Sequence, residues 1–388
     1  MKRYDIIISG AGMIGSLAAV AATQLGFSVL LIESNKIQPL KNDSPRDLRV
    51  SAISWNNIQY LKMLGVYSNL IQSRIQPYEH MQVWDNRSNG QIDFDADYSS
   101  QPYLGILLEN KNLIQAAHSL LKNNELCDFL EESKIDSIEN LSHQVRVKLD
   151  DNSQFKSKIL IASEGRNSQI RQQVEIPTKE LDYCQKGLVA YISMKDAPSK
   201  TALQCFNEGG PIGILPISND LFSIVWSLPN KSVDYWLKCS KEEFETGLKL
   251  KIAKDFGSIK LMSNRVAFPL KQMNAEQYFK TRVVLCGDSA HGVHPLAGQG
   301  VNLGIQDIKV LIKILEKTTL KDNDKLNQSL RKYQRRRISQ VKETSEMMTF
   351  LHFLFKDDKY FKKPIRNLGL NIIDKLPIKK WLINQAGS

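Results

Sequence analysis

The amino-acid sequence predicts an α/β fold, in which a Rossmann-like dinucleotide-binding domain carries an inserted antiparallel β-sheet and ends in a helical C-terminus. Three observations predict this fold. The chain opens with an apolar strand, a glycine-rich turn, a helix and a second strand. Between residues 188 and 228 the pattern changes to short strands separated by turn residues. After Val301 apolar residues recur at helical spacing almost to the end of the chain.

The individual elements follow from the same periodicities. We predict helices over residues 13–25, 55–64 and 112–121, and strands over residues 4–9, 28–33, 144–149 and 155–162. The inserted sheet is predicted to contain residues 188–194, 202–206, 213–216 and 222–226, and residues 283–286 return to a buried parallel strand.

The length of 388 residues indicates more than one hydrophobic core. We assign residues 1–75, 105–180 and 280–325 to the dinucleotide-binding domain. Residues 76–104 and 181–279 form the expected substrate-binding sheet domain, and residues 326–388 form a C-terminal helical region.

Composition and charge narrow the possible partners. The net charge of +11 favours anionic partners, such as nucleic acid, an anionic membrane face or a phosphate-bearing cofactor, although a lysine-rich composition alone also accounts for it. No nucleic-acid recognition motif is present, so we expect no nucleic-acid partner. The five cysteines are scattered, which argues against a disulfide framework or a zinc site. With neither a signal-peptide pattern nor an apolar run of 18 residues, the expected location is cytoplasmic.

The segment from Gly10 to Gly15 has the spacing G-x-G-x-x-G between a strand and a helix. Gly10 allows a tight turn, Gly12 allows close approach of a pyrophosphate to the backbone, and Gly15 allows close packing of the helix. The helix N-terminus directs unpaired N–H groups at the phosphates. Glu33, at the end of the second strand, is placed to accept hydrogen bonds from a ribose. This fingerprint predicts a dinucleotide site without separating NAD from FAD.

A second glycine-rich segment runs from Gly287 to Asp307, directly after a predicted strand. A carboxylate at Asp288 can accept hydrogen bonds from ligand hydroxyl groups. The glycines before the following helix let backbone N–H groups approach a ligand, and the helix N-terminus stabilises negative charge on it.

This segment resembles the G-D-x-A-H-x-x-x-P-x-x-G-Q-G-x-N-x-G-x-x-D motif of the FAD-dependent aromatic hydroxylases. The resemblance implies that Asp288, after Gly287, binds the ribityl chain of FAD, and that Pro295 lies beside the isoalloxazine ring. It places the remaining ring contacts at Gly298, Gln299, Gly300, Val301 and Asn302.

Three other segments resemble parts of the same group. Residues 162–171 resemble A-D-G-x-x-S-x-x-R, with Glu164 in place of the usual Asp, and Ser168 and Arg171 matching. The resemblance implies contacts of this segment with FAD and the nicotinamide cofactor. Residues 47–53 resemble the D-x-R-x-x-A-L stretch of the group, which implies that Arg49 approaches the FAD ribose or pyrophosphate. Residues 107–113 resemble its V-V-E-N-x-x-L stretch, which implies that Glu109 lies near the flavin.

Together with the segments 210–216 and 223–227, these motifs resemble the ubiquinone-biosynthesis hydroxylases. The family implies bound FAD, NAD(P)H as a transient reductant, O₂ as co-substrate and a polyprenyl phenol as substrate, with other ubiquinone-biosynthesis proteins as possible partners. The ring is expected between the flavin and the inserted sheet, where Tyr191, Gln204, Phe206 and Leu215 are candidate lining residues or simply sheet core.

The sequence also bears on four alternatives, namely a metal site, a hydroxylase of a soluble aromatic compound, a halogenase and a non-enzymatic protein. His291 and His294 have the side chains of a possible metal pair, but no third ligand at suitable spacing is evident, so no metal is expected. We expect both histidines to serve hydrogen bonding within their own loop. A hydroxylase of a soluble aromatic compound needs a fixed cation for the substrate carboxylate, and the sequence locates none. The W-x-W-x-I-P motif of flavin halogenases is missing. A structural flavoprotein or a prenyl-binding escort would lose the flavin-ring motif, which this chain keeps.

The C-terminal region combines apolar and basic residues. Seven apolar residues crowd positions 347–355, and eight basic against three acidic residues follow between positions 356 and 381. An apolar helix beside a basic segment is typical of proteins that bind anionic membranes. We therefore predict that this region docks on a membrane surface, namely the inner face of the cell membrane, or on a partner that carries lipid substrate. The alternative is that the helix packs on the first domain.

Overall fold

The computed structural model describes residues 1–87, 90–293 and 299–355, without the side chains of residues 299, 347, 348 and 350–355. The strands in this part of the chain are β1 (Lys2–Ser9), β2 (Val29–Ile32), β3 (Val50–Ser54), β4 (Ile75–Tyr78), β5 (His80–Asp85), β6 (Gln91–Asp95), β7 (Gly105–Glu109), β8 (Cys127–Leu130), β9 (Ile135–Asn140), β10 (Val145–Leu149), β11 (Gln154–Ala162), β12 (Thr178–Met194), β13 (Thr201–Phe206), β14 (Ile212–Pro216), β15 (Leu221–Pro229), β16 (Ile259–Leu261), β17 (Val266–Ala275), β18 (Phe279–Lys280), β19 (Val283–Leu285) and β20 (His291–Gly292). The helices are α1 (Met13–Gln24), α2 (Trp55–Met63), α3 (Asn110–Leu121), α4 (Gln169–Gln173), α5 (Asn230–Lys238), α6 (Lys241–Ile252), α7 (Gln299–Leu315) and α8 (Asn323–Phe355).

The first sheet is Rossmann-like, as predicted. Its strands β19, β11, β1, β2 and β8 are parallel neighbours in that order. Consecutive residues Ile6, Ile7 and Ile8 of β1 are all fully buried, so both faces of the parallel sheet are covered, and α1 packs on one of them. Strand β10 pairs antiparallel with the first half of β11, and β9 pairs antiparallel with β10. Since ligands bind at the carboxyl ends of such strands, the loops after β1, β11 and β19 mark the site.

The second sheet contains β20, β17, β12, β15, β14, β13, β5 and β6 in spatial order, with β16 beside β12. Its pairs are antiparallel, as predicted, except for β13 with β5, which is parallel. The parallel pair arises because β5 comes from a separate stretch of chain and not from a hairpin with β13. A third, smaller sheet joins β3, β7 and β4.

Three buried hydrophobic clusters lie in the described residues, and the smallest of them joins Val293, Leu303 and Val341. The other two are extensive. The larger draws on residues 4–176 and 275–333, and the smaller on Trp84 and residues 188–259. The first turns of α8 lie in the larger cluster, through Leu326, Leu330 and Tyr333. The domain limits predicted from the sequence stay a proposal, and α8 begins as part of the first core.

Several element limits differ from those predicted. Strand β12 starts at Thr178, ten residues before the predicted strand, because its first half is largely exposed and polar and gives no hydrophobic signal. The predicted C-terminal helical region is divided, among the described residues, into the two helices α7 and α8. No helix among the described residues is both long and apolar enough to span a bilayer.

Candidate functional site

The three glycines of the first fingerprint differ in their surroundings. Gly10 has a φ of +94°, and a Cβ there would lie 2.6 Å from the carbonyl oxygen of Ser163. A Cβ on Gly15 would lie 1.8 Å from the carbonyl oxygen of Gly10. At Gly12, the N-cap of α1, an added Cβ would meet no atom within 4 Å. Gly10 and Gly15 therefore satisfy internal packing, while Gly12 leaves space at the helix N-terminus, where a phosphate would bind.

Glu33 stands beside this turn. One carboxylate oxygen accepts a hydrogen bond from the N–H of Ala11 at 2.8 Å, and the other accepts from the N–H of Asn35 at 3.0 Å. The side chain is half-buried, and a carboxylate has about four acceptor positions. Glu33 can hold the glycine turn and still accept from a ribose hydroxyl.

The Gly287–Asp288 turn follows β19 at the same edge of the sheet. Gly287 has a φ of +60°, and its N–H donates to Asp307 at 2.7 Å. The Asp288 carboxylate has no hydrogen-bond partner among the described residues. The surrounding protein atoms remove part of the hydration of the Asp288 carboxylate and so raise its pKa. The side chain is nevertheless exposed to solvent. An acceptor in this position suits ligand hydroxyl groups.

A buried ionic network supports this turn from behind. Asp307 of α7 accepts from Nε2 of His291 at 2.7 Å and from Nε of Arg337 at 2.6 Å. Burial raises the pKa of Asp307, and the adjacent His291 and Arg337 outweigh it, so the net pKa is lowered. Arg337 also donates to the carbonyl of Leu303 at 3.0 Å. The network ties α8 to the start of α7 and to the Gly287 turn.

Arg337 was not predicted from the sequence, although a signal existed. It continues the buried helical series Leu326, Leu330 and Tyr333, so its spacing points into the core. His291 was expected to serve hydrogen bonding within its own loop, and it reaches α7 instead. No group of three His, Cys, Asp or Glu side chains suited to a metal occurs in the described ranges. His294 lies outside them.

The N-terminus of α7 presents the second set of ligand-facing groups. A Cβ added to Gly300 would meet no atom of a described residue within 4 Å. The Asn302 side chain is buried, accepting from the N–H of Ser54 at 3.0 Å and donating to the carbonyl of Ala52 at 2.8 Å. Val301 is buried in the first core. The hydrogen bonds of Asn302 fix the first turn of α7 against β3. Pro295 and Gly298, and the side chain of Gln299, lie outside what the structure describes.

The motifs meet although hundreds of residues separate them. The side chain of Ile14, on α1, would lie 3.1 Å from a Cβ on Gly287 and 2.6 Å from one on Gly304 of α7. The middle motif joins them, because Ser163 contacts Gly10 and Arg171 donates to the carbonyl of Ser289 at 3.0 Å. One cleft is thus bordered by all three motifs.

Two of the predicted cofactor contacts, Glu164 and Glu109, have carboxylates that already accept hydrogen bonds from other residues of the protein. The Glu164 carboxylate accepts from Ser9 Oγ at 2.7 Å and from Ser168 Oγ at 2.6 Å. Glu109 is buried and accepts from Arg74, at 2.7 and 3.0 Å, and from Arg46 at 3.0 Å. Their carboxylates position loops around the cleft.

Arg49, in contrast, is exposed at the start of β3. Its guanidinium has no hydrogen-bond partner in the described part of the chain. It therefore remains available for the predicted contact with a phosphate or ribose.

The predicted ring-lining residues lie on one face of the second sheet. By strand register this face carries the odd-numbered residues of 185–191, 213–215 and 223–229 and the even-numbered residues of 202–206. We call it the open sheet face. Tyr191 is anchored there, its hydroxyl donating to the carbonyl of Asp47 at 2.5 Å. At the other end Phe206 lines a cavity of about 390 Å³, together with Gln185, Pro211 and Pro229.

Comparison with known proteins identifies the family. The chain matches the FAD binding domain family over residues 3–347. It is 28% identical to the mitochondrial ubiquinone biosynthesis monooxygenase COQ6 of Drosophila melanogaster, covering 98% of this chain and 89% of the relative. It is also 28% identical to 3-demethoxyubiquinol 3-hydroxylase of Escherichia coli, covering 97% and 96%.

The fold agrees with solved structures at lower identity. A mutant of PqsL from P. aeruginosa superposes with a TM-score of 0.81 at 20% identity, covering 96% of this chain and all of that one. The chain is 31% identical to the mitochondrial ubiquinone biosynthesis monooxygenase COQ6 of Homo sapiens, covering 83% of this chain and 78% of the relative. The chain therefore belongs to the FAD binding domain family and, within it, to the ubiquinone-biosynthesis hydroxylases, a group of FAD-dependent monooxygenases.

Proposed function

We propose that this protein hydroxylates the aromatic ring of a polyprenylated phenol in ubiquinone biosynthesis, with NAD(P)H and O₂ as co-substrates. The names of the relatives support the pathway, since one is a ubiquinone biosynthesis monooxygenase and another acts on demethoxyubiquinol. The cavity of about 390 Å³ beside Phe206 supports binding of a small molecule at this end of the sheet, because its size is in the range of small-molecule sites.

The observation that carries the proposal is the convergence of the three motifs around Ile14. The residues that border this cleft fit FAD. The N-terminus of α1 at Gly12 would hold the pyrophosphate, Glu33 the ribose and Asp288 the ribityl hydroxyls. The N–H groups of Gly300, Val301 and Asn302 would meet the flavin ring. When bound, FAD supplies the redox chemistry, taking electrons from NAD(P)H and passing them to O₂.

The chain's own residues position the cofactor and shield the site from water. The N-terminal dipole of α7 stabilises negative charge at the ring-facing end of the cleft. The ionic network of Asp307, His291 and Arg337 fixes α7 against the Gly287 turn, so these groups are held in place before ligand binds. The open sheet face supplies a wall that limits access of water.

Membrane docking through the C-terminal region is part of the proposal. A prenylated phenol partitions into lipid, so an enzyme that acts on it gains from binding at the bilayer surface. The basic residues between 356 and 381, which lie outside the described residues, provide the charge for an anionic leaflet.

The proposal is tested by turnover. The purified protein, loaded with FAD and supplied with NADH or NADPH, is expected to add one oxygen atom to a short-chain prenylated phenol, detected by mass spectrometry. In parallel, the gene is introduced into a panel of bacteria that each lack one ubiquinone-pathway hydroxylase. The intermediate that stops accumulating identifies the ring position. Oxidation of NAD(P)H without any hydroxylated product, and no rescue of any strain, would refute the proposal.

A further inference from the structure

Arg166 is a half-buried cation at the edge of the cleft that forms no ion pair with a described carboxylate. It follows Gly165 in the middle motif, at a position where A-D-G-x-x-S-x-x-R accepts any residue. Its Nη2 donates to the carbonyl of Lys271 on β17. Its Nη1 is buried and has no hydrogen-bond partner in the part of the chain that the structure describes. Leaving a buried charged donor unpaired costs stability, which indicates a role for Arg166 beyond packing.

The fold places this cation beside the segment that leads from the Asp288 turn to α7. Gly292 of β20 makes room for the guanidinium, because a Cβ on Gly292 would lie 2.7 Å from Nη2 of Arg166. Loss of hydration raises the pKa of Asp288, and the charges of His291 and Arg166 oppose that rise. Asp288 is the proposed acceptor for the ribityl hydroxyls, and the N-terminus of α7 is the proposed contact of the flavin ring. Arg166 therefore lies on the ribityl and ring side of the cleft.

The neighbouring charged groups are engaged elsewhere. The buried ionic network at Asp307 is complete within itself. The ammonium of Lys271 pairs with Asp182 at 3.1 Å. Arg171 uses both Nη atoms to donate to backbone carbonyls, that of Ser289 at 3.0 Å and that of Arg166 at 2.8 Å. Arg166 thus retains a charge and a donor that the described residues do not use.

Reduction changes the charge of a flavin. A hydride from NAD(P)H brings two electrons and one proton to the ring, so the reduced flavin gains one negative charge if no second proton binds. That charge would arise near the carboxylate of Asp288, which repels it. A cation at the same end of the cleft stabilises the reduced state more than the oxidised state, and so raises the reduction potential.

We propose that Arg166 tunes the redox chemistry of bound FAD, its charge favouring the reduced, anionic flavin over the oxidised flavin and offsetting the charge of Asp288. The inference rests on the placement of FAD that the proposed function gives, and it adds a residue to the same site. At an effective dielectric constant of about 20, a unit charge about 10 Å from another changes an equilibrium about tenfold. The charge of Arg166 should therefore favour binding of reduced over oxidised FAD about tenfold.

The midpoint potential of the bound flavin tests this inference. It is measured by anaerobic reductive titration of the FAD-loaded protein against a reference dye, without NAD(P)H or a phenol. Arg166→Gln removes the charge and keeps a donor for the Lys271 carbonyl. A tenfold loss in the preference for reduced FAD lowers its two-electron potential by about 30 mV. Arg166→Lys keeps the charge and is expected to keep the wild-type potential. Arg166→Met takes the place of Arg166→Gln if that variant binds too little FAD.

Arg282 provides the matched structural control. It is a buried arginine whose guanidinium donates to the carbonyls of Ser142 at 2.7 Å and Lys158 at 2.8 Å. It directly precedes β19, at the amino end of the strand, whereas the cleft lies at the carboxyl end. Arg282→Met is therefore expected to lower the Tm and leave the potential of bound FAD unchanged.

The potential separates an effect of charge from a structural effect. Equal potentials in the wild type and Arg166→Gln, whatever their Tm values, would show a structural role and overturn the inference. A shift in Arg166→Lys as large as that in Arg166→Gln would overturn the assignment to charge.

The proposed function fails or stands separately from this inference, because the titration contains no substrate. A lowered potential in Arg166→Gln, with no hydroxylation of a prenylated phenol by the wild type, would support the inference and refute the proposed function. Hydroxylation by the wild type with an unchanged potential in Arg166→Gln would do the opposite. A wild-type protein that binds no FAD would overturn both.

Discussion

The open space at Gly12 makes a sharp prediction for the cofactor. Gly12→Ala and Gly12→Val place a side chain where the structure has no atom within 4 Å, at a φ of −69° that any residue adopts. The fold should accept both. An Ala at this position loses part of the glycine's N-cap preference and gains from reduced unfolded-state entropy, two effects of about 0.5–1 kcal/mol that oppose each other.

The expected loss is confined to the ligand. A side chain at Gly12 would hold the pyrophosphate away from the N–H groups of α1, and a hydrogen bond to a charged group contributes about 1.5–3 kcal/mol. FAD affinity should fall by about tenfold to a hundredfold. The loss should be larger for Val than for Ala, because the β-branched side chain fills more of the space.

Gly15→Ala is the contrasting variant. Its Cβ would lie 1.8 Å from the carbonyl of Gly10 and 2.4 Å from Ser163 Oγ, so the backbone must move. We expect this change to lower the Tm of the ligand-free protein as well as FAD binding. The assay measures FAD affinity by titration, with FMN as the probe that lacks the adenosine half, and the Tm without ligand. Undiminished FAD affinity in Gly12→Val would refute the assignment of this turn to the pyrophosphate.

Four further outcomes are expected. Asp288→Ala removes an acceptor for ribityl hydroxyls and should weaken FAD binding by about tenfold to a hundredfold with little change in Tm, since its carboxylate bonds to no described residue; normal flavin content would contradict this. Arg337→Met leaves the buried Asp307 without its cation and should lower the free energy of unfolding in urea by about 3–5 kcal/mol, whereas the exposed Arg336→Met should change it little. Burial lowers the pKa of His118 below its ordinary 6.5, so the unfolded chain takes up a proton that the folded state resists. Stability should therefore decline as the pH falls through about 6.5, less so in His118→Gln, and identical pH profiles would exclude His118 as the cause. Replacing the lysines at 359, 362 and 363 with glutamine should weaken co-sedimentation with anionic liposomes by about a hundredfold, at roughly 1 kcal/mol per charge, and equal, negligible sedimentation of both proteins would leave membrane docking unsupported.

Local sequence determined the part of this protein that depends on short-range geometry. The glycine spacing from Gly10 to Gly15 specified a turn, an open helix N-terminus and a close helix contact, because each requirement acts within a few residues. Short apolar runs separated by turn residues likewise predicted the strands of the inserted sheet at residues 188–194 and 222–226. The motif resemblance then supplied the family, which no local periodicity contains.

Tertiary structure decided which polar groups are committed and which remain available. Glu109 and Glu164 carry the same carboxylate chemistry as Asp288, yet the fold pairs the first two and leaves the third without a described partner. Their partners come from distant parts of the chain, so no nearby pattern predicts them. The shared face of Gln204 and Ser223 likewise depends on the register of strands β13, β14 and β15, since a shift of one residue would turn either side chain to the opposite face.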